Sequence, residues 1–455
     1  MDEAQTDQKS RVLCPLFLRM ILIIINPNDH PKGRHPLMRA DKTPDTLHGS
    51  LPWYIPLLAI WGPGLMVMLA DTDAGSLITA AQSGAEWGYH MILPQLILIP
   101  VLYIVQEVTV RLGIVTGQGH GSLIRQQFGG FWAIISATTL FLSAVGALIT
   151  EFSGVAGVGA LFGVPPAISV GLATVALIAI GLSGSYLRVE RIGVIFGLFE
   201  LVFVGVAVVA RPSPAAMAAA FVSIPLTNLN YLFLLAANVG AVIMPWMIFY
   251  QQGAVIDKGL TRRWRALRHA RWDTLAGSII TQVIMMAMVI VVAATVGRVH
   301  AHRPLNTVQQ ISQSLVPFLG HPIGITVFGL GMLGASIIAA LVVSVAGAWG
   351  LGEVFGFSHS LNHSFREAPW FYAVYSFAHI AGAVLVIFSR NLVSLTIDVE
   401  IMNAMLLPIV LGFLLALEAR ALPPRWRMRG FYRWLVWGVS AIVMLFGLLT
   451  IVLAV

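Results

Sequence analysis

From Pro52 to its C-terminus the chain alternates long apolar runs with short polar connections, and the runs are nearly unbroken, as in Leu93–Val105 and Ile279–Val296. Transmembrane strands would show short alternating segments instead, whereas about 20 consecutive apolar residues carry a helix across the hydrocarbon core. The pattern predicts eleven helices, at 53–85, 89–112, 131–160, 165–185, 190–210, 229–252, 273–297, 322–349, 369–389, 391–417 and 430–454. The expected fold class is an all-α polytopic membrane protein. Residues 1–51 read as a cytoplasmic N-terminal segment and residues 52–455 as one transmembrane domain. Cys14–Asn26 is a short apolar stretch interrupted by Arg19, and Met38 opens a segment that reads as an ordinary cytoplasmic start, so Met38 is the alternative first residue.

Two of the predicted helices carry breakers at depth. The first contains Asp71-Thr-Asp73-Ala-Gly75-Ser76 and the sixth contains Gly240-Ala-Val-Ile-Met244-Pro245-Trp246. Proline removes a backbone donor and clashes with the preceding turn; glycine lowers the cost of leaving helical geometry. A helix broken inside a bilayer survives only where the freed backbone is buried or lines a cavity. The two breaks lie five spans apart, which matches a five-plus-five inverted repeat whose broken helices meet around a substrate at the midplane.

Composition agrees with a lipid-facing surface. The 455 residues are 58% hydrophobic and 10% charged, against about 25% charged in a soluble domain. A net charge of +7 could suggest nucleic acid, but the basic residues sit in short connections between spans. Lys258, Arg262, Arg263, Arg265, Arg268 and Arg271 follow the sixth span, Arg420, Arg425, Arg427, Arg429 and Arg433 the tenth, and Arg188 and Arg191 the fourth. Alternation puts all three connections on one side, and the positive-inside rule makes that side cytoplasmic, with the N-terminus. The opposite connection Pro212–Asn228 has no Lys or Arg. A single cysteine excludes an intrachain disulfide and a cysteine-rich metal cluster.

Asp73 is the first candidate for chemistry. A carboxylate near the bilayer centre costs about 2.5–3.5 kcal/mol on insertion scales, so it needs a partner or a task. It could bind a cation, cap the second half of the broken helix, or both. Met244 beside Pro245 would add a soft sulfur to carboxylate and carbonyl oxygens, a mixture that suits a transition metal better than Mg²⁺ or Ca²⁺. Asp71 could join Asp73 if the helix unwinds, or line an aqueous path. Glu107, beside Gln106, and Glu151 are candidate proton carriers or vestibule residues, with pairing to a buried arginine or to backbone as the alternative. Glu200 sits inside an apolar helix and could be either. His300, His302 and His321 on one side, and His359 with His363 on the other, are loop residues that could capture metal.

These stretches resemble the Nramp divalent-metal transporters: Gly62-Pro-Gly-Leu-Met through Asp73-Ala-Gly-Ser76 to Gly88-Tyr89, Gln106, Arg111–Gly117, Glu151-Phe-Ser-Gly, Leu161–Pro165, Glu190-Arg191, Gly240-Ala241 and Met244-Pro245. The resemblance covers most of Pro52–Val455 and weakens beyond the sixth helix. It implies a LeuT-like fold that imports Mn²⁺ or Fe²⁺ with protons by alternating access. Carried over, the metal ligands are Asp73, Ser76, the Ala241 carbonyl and Met244, with Glu400 or Asn403 of the tenth helix joining in the occluded state. This chain departs from the family at several points. DPGN reads Asp-Ala-Gly-Ser, MPH reads Met-Pro-Trp246, and Gln251 replaces a second histidine. Leu148 stands where a proton-relaying Asp is expected, the basic cluster of the ninth helix is reduced to His379, and Asp398 and Glu400 are acidic additions. The expected partners are the transported ion, protons and membrane lipid, with no resident cofactor, no nucleic acid and no enzymatic motif. Transport of a harder ion such as Mg²⁺, or of an amino acid by the same architecture, are the alternatives.

Overall fold

The computed structural model describes residues 62–299, 304–389 and 391–454. Met38, the Cys14 stretch, His300 and His302 lie outside these residues. Among the described residues there is no strand.

The first span is α1 (Pro63–Asp71) and α2 (Ala74–Trp87), followed by α3 (Ile92–Thr116), the short α4 (His120–Phe128), α5 (Gly130–Leu161) and α6 (Pro166–Gly181). The fifth span is α7 (Tyr186–Gly197), a 3₁₀ turn at Leu198–Glu200 and α8 (Leu201–Val209), after which α9 (Pro214–Val222) lies in a connection. The sixth is α10 (Leu229–Val242) and α11 (Pro245–Asp257), and the rest are α12 (Trp264–Ala294), α13 (His321–Phe355), α14 (Pro369–Phe388), α15 (Leu392–Ala421) and α16 (Gly430–Ala454). Among the described residues, nine helical stretches are long and apolar enough to cross a membrane. Ala74–Thr116 counts there as one stretch although it turns at Gly88–Met91, and α6, at 16 residues, falls short of the length required. Resolving those two recovers the eleven expected segments.

Local chemistry explains the boundaries. Gly117 and Gly356 end α3 and α13 in the left-handed conformation that lacks a steric cost only for glycine. Pro245 and Pro166 sit at the first helical position, where the missing N–H costs nothing. The seventh span starts at Trp264, nine residues before the expected 273, because its first turns are amphipathic and escape a hydropathy pattern. The chain reverses between α2 and α3, so Asn238 reaches both: its amide donates to Ser83 Oγ (2.8 Å) and its oxygen accepts from Gln95 (2.6 Å).

Helices α5 and α13, the third spans of the two halves, pack along each other. Helix α12 lies against α1, α2 and α3, and α15 against α10, α2 and α16. Contact between α10 and α15 depends on Gly240, where a Cβ would stand 1.8 Å from the Glu400 carbonyl oxygen. Asp273 of α12 accepts from the backbone N–H groups of Gly62 (3.0 Å), Gly64 (2.8 Å) and Leu65 (3.2 Å), tying down the start of α1. Buried His120 of α4 packs edge-on against Phe249, and its Nδ1 lies 3.1 Å from Gln252 Oε1. Burial pushes the His120 imidazole down to about 4, against the smaller opposing effect of that Gln252 contact.

Candidate metal site at the broken helices

The first break is made by Thr72 and Asp73. Asp73 is extended (φ −71°, ψ 178°), and its Oδ1 accepts from the Ser76 N–H at 2.6 Å, so it caps α2. The second break is made by Ile243 and Met244; Met244 is also extended (φ −94°, ψ 141°) and stands before Pro245. Unwinding at these points frees carbonyl groups. The Ser76 hydroxyl lies 2.8 Å from the Asp71 carbonyl and 2.9 Å from the Ala241 carbonyl. With one proton it donates to one of them at a time, and it links the two broken helices directly.

Acidic side chains surround this junction. Asp73 Oδ2, both oxygens of Asp71 and Glu400 Oε1 are buried without a hydrogen-bond partner. Glu151 of α5 accepts from the Ala74 N–H at 3.2 Å and from Thr150 Oγ1 at 3.1 Å. Glu400 of α15 lies against the first break, because a Cβ on Gly75 would come 2.2 Å from its Oε1. Its other oxygen accepts from Asn403 Nδ2 at 3.1 Å, and Asn403 Oδ1 accepts from Ser143 at 2.8 Å. Unpaired buried carboxylates are costly, so their convergence points to a cation as the missing partner.

Met244 is fully buried, and its sulfur accepts from the Trp246 indole N–H at 2.9 Å. The tryptophan in the place of the family histidine therefore engages the thioether. Among the described residues no three His, Cys, Asp or Glu side chains are already gathered as a metal cluster. A metal held here would have to draw on backbone carbonyls and sulfur alongside carboxylates.

Several expected residues lie elsewhere. Glu107, given above as a candidate proton carrier or vestibule residue with arginine pairing as the alternative, pairs with Arg111 (2.7 Å) and Arg271 (2.6 Å) and accepts from Tyr432 (2.8 Å). Gln106 is buried in α3 with neither amide atom hydrogen-bonded. Gln251 faces Thr274 of α12 at 3.5 Å. Leu148 belongs to the apolar core, His379 packs on Phe152 and bonds the Tyr375 carbonyl, and Asp398 is exposed. His321 is exposed, and His359 and His363 each take a local oxygen, Phe357 O and Ser358 Oγ respectively.

One site residue escaped the sequence assignment. Glu200, fully buried in the 3₁₀ turn that interrupts the fifth span, lies beside Thr72 and within electrostatic reach of Asp71 and Asp73. The fifth and tenth spans are counterparts in a five-plus-five repeat, so Glu200 and Glu400 approach the same break from repeat-related helices. A carboxylate set within the apolar stretch of each was the available signal.

Comparison with known proteins bears on the family and the fold. The family model described as Nramp, natural resistance-associated macrophage protein-like, matches residues 64–453. The divalent metal cation transporter MntH of Verminephrobacter eiseniae is 28% identical over 302 residues, covering 64% of this chain and 67% of that protein. MntH of Klebsiella pneumoniae is 27% identical over 299 residues, covering 64% and 71%. Among solved structures, the manganese transporter of Eremococcus coleocola superposes with a TM-score of 0.72 at 18% identity, covering 89% of this chain and 88% of that one. A Na⁺-coupled sialic acid symporter superposes with a TM-score of 0.58 at 14% identity, covering 86% and 89%, a likeness of fold alone.

Proposed function

The chain belongs to the Nramp family, and from that premise we propose that it moves a divalent metal cation, Mn²⁺ or Fe²⁺, across a cell membrane by alternating access. Members of the family are transporters, so this chain is a carrier and not an enzyme. The ligands in this reading are Asp73, Ser76, the Ala241 carbonyl and Met244, with Glu400 and Asn403 closing the site from α15. The carrying observation is the junction itself: Ser76 touches the Ala241 carbonyl of the second broken helix at 2.9 Å while Asp73 Oδ2 beside it has no partner. Two half-helices thus meet around a buried carboxyl oxygen that has no hydrogen-bond partner, which is the arrangement a cation would complete.

Protons are a second cargo in this reading, with Glu151 as the carboxyl group placed to take one, since it hydrogen-bonds the residue next to Asp73. The basic connections face the cytoplasm of a plasma membrane, with the N-terminus on the same side. An amino-acid substrate is not favoured, because its carboxylate would meet Asp73, Asp71 and Glu400. One observation favours a harder ion: the Trp246 N–H already occupies the Met244 sulfur. That puts Mn²⁺ ahead of softer ions and keeps Mg²⁺ as the competing substrate.

Uptake in proteoliposomes tests the reading. Mn²⁺ uptake is expected in the wild type and absent in Asp73→Ala, with selectivity over Mg²⁺ reduced in Met244→Ala. Mg²⁺ uptake indifferent to Met244→Ala would establish the hard-ion alternative. Uptake of no metal, with Asp73→Ala silent in metal binding, would overturn the assignment.

A further inference from the structure

Two connections far apart in sequence meet at the basic end of the molecule. Trp264, the first residue of α12, stacks on Trp426, between α15 and α16, with ring centroids 4.0 Å apart and planes inclined by 19°. Arg262 and Arg425 bring their guanidinium groups to 5.9 Å and 5.8 Å from the Trp426 ring. Among the described residues neither arginine forms an ion pair with a carboxylate. Trp426 is 2% exposed, and its buried indole N–H has no acceptor. Trp264 is 55% exposed and Phe431 82% exposed, so apolar rings stand at the edge of this cationic surface.

A ligand that fits must be anionic, must offer an acceptor oxygen, and must tolerate exposed aromatic rings beside its charged end. A phospholipid headgroup at the rim of a bilayer meets all three conditions: arginine forks the phosphate oxygens, tryptophan prefers the interfacial depth, and basic side chains attract anionic headgroups. We propose that the Trp264–Trp426 stack, flanked by Arg262 and Arg425, is a binding site for the headgroup of an anionic phospholipid. The site continues inward, because the Trp426 carbonyl accepts from Arg111 Nη1 at 2.9 Å and Arg111 pairs with Glu107. A lipid seated there bears on α3 and, through Arg271, on α12.

The test is native mass spectrometry of the detergent-solubilised full chain titrated with phosphatidylglycerol or with phosphatidylcholine of the same acyl chains. Wild type is expected to retain phosphatidylglycerol in preference to phosphatidylcholine, and Arg262→Gln/Arg425→Gln to lose that preference by about tenfold or more. A control pair at other exposed arginines, Arg188→Gln/Arg366→Gln, is expected to keep it. Should the double variant fail to give a monodisperse protein, Trp426→Phe decides. That change keeps an aromatic ring under Trp264, removes the buried donor together with part of the indole, and is expected to weaken phosphatidylglycerol retention. Equal retention of the two lipids by wild type, unchanged retention by the variants, or displacement of the lipid by millimolar inorganic phosphate would overturn the proposal.

Discussion

The indole N–H of Trp246 stands 2.9 Å from the sulfur of Met244, two residues away across the start of α11. A neutral hydrogen bond contributes about 0.5–1.5 kcal/mol net, and a metal that uses the same sulfur must compete with it. Trp246→Phe is therefore expected to raise affinity for a soft ion such as Cd²⁺ by up to about tenfold relative to Mn²⁺. Met244→Ala should cancel that gain. Competition of Cd²⁺ against Mn²⁺ uptake, compared across the two single variants and the double variant, measures it.

Glu200 supplies a second prediction. Its carboxyl group lies within electrostatic reach of Asp71 and Asp73 from the fifth span, so Glu200→Gln removes a group that can ionise beside a bound cation without removing a proposed ligand. Metal affinity is expected to fall by about tenfold, the effect of losing one charge interaction worth about 1–2 kcal/mol across a partly screened distance. Calorimetric titration with Mn²⁺ on purified protein would show it; affinity equal to wild type would place Glu200 outside the ion's field.

Sequence patterns disclosed the span count and both breaks because their causes are local: apolar length for the spans, proline and glycine for the interruptions. They also singled out Asp73 and Met244, whose neighbours in the chain are unusual. Glu200 stayed unassigned because its role depends on the 3₁₀ turn and on packing against Thr72, which no periodicity reveals. For Glu107, pairing with an arginine was one of the two readings. Its burial was legible, but its partner Arg271 lies 164 positions away and arrives only with the fold. The same holds for Asp273, whose acceptance of three N–H groups from the start of α1 has no signature in either segment.

Packing at Gly240 gives a third prediction. A methyl group there would stand 1.8 Å from the Glu400 carbonyl and 2.8 Å from the Ala404 N. Both are backbone atoms and cannot rotate aside. Gly240→Ala is expected to destabilise the protein by about 1–3 kcal/mol, as overpacking does, and to displace Glu400 from Gly75. A lowered melting temperature together with weaker Mn²⁺ binding checks both consequences.

His120 sets a pH dependence of stability. Its imidazole is held near pKa 4 by burial, below its unfolded value of about 6.5. The folded state thus excludes a proton that the unfolded chain accepts. The stability tied to the neutral ring is complete above about pH 6.5 and is lost as pH falls through 4, amounting to about 3 kcal/mol at the acid limit. Melting temperatures between pH 7 and pH 4 are expected to drop more steeply for wild type than for His120→Asn.

Helix α1 has only nine residues, too few to persist alone in the absence of neighbours, and Asp273 holds its first N–H groups to α12. Asp73 sits just past its other end. Thr281 of α12 also bonds the Met68 carbonyl near the far end of α1, so the short helix is fastened to the seventh span along its length and ends at the cargo. Any tilt of α12 would carry α1 and the carboxylate at the break with it, coupling the proposed ligand Asp73 to a helix that contributes none of the others.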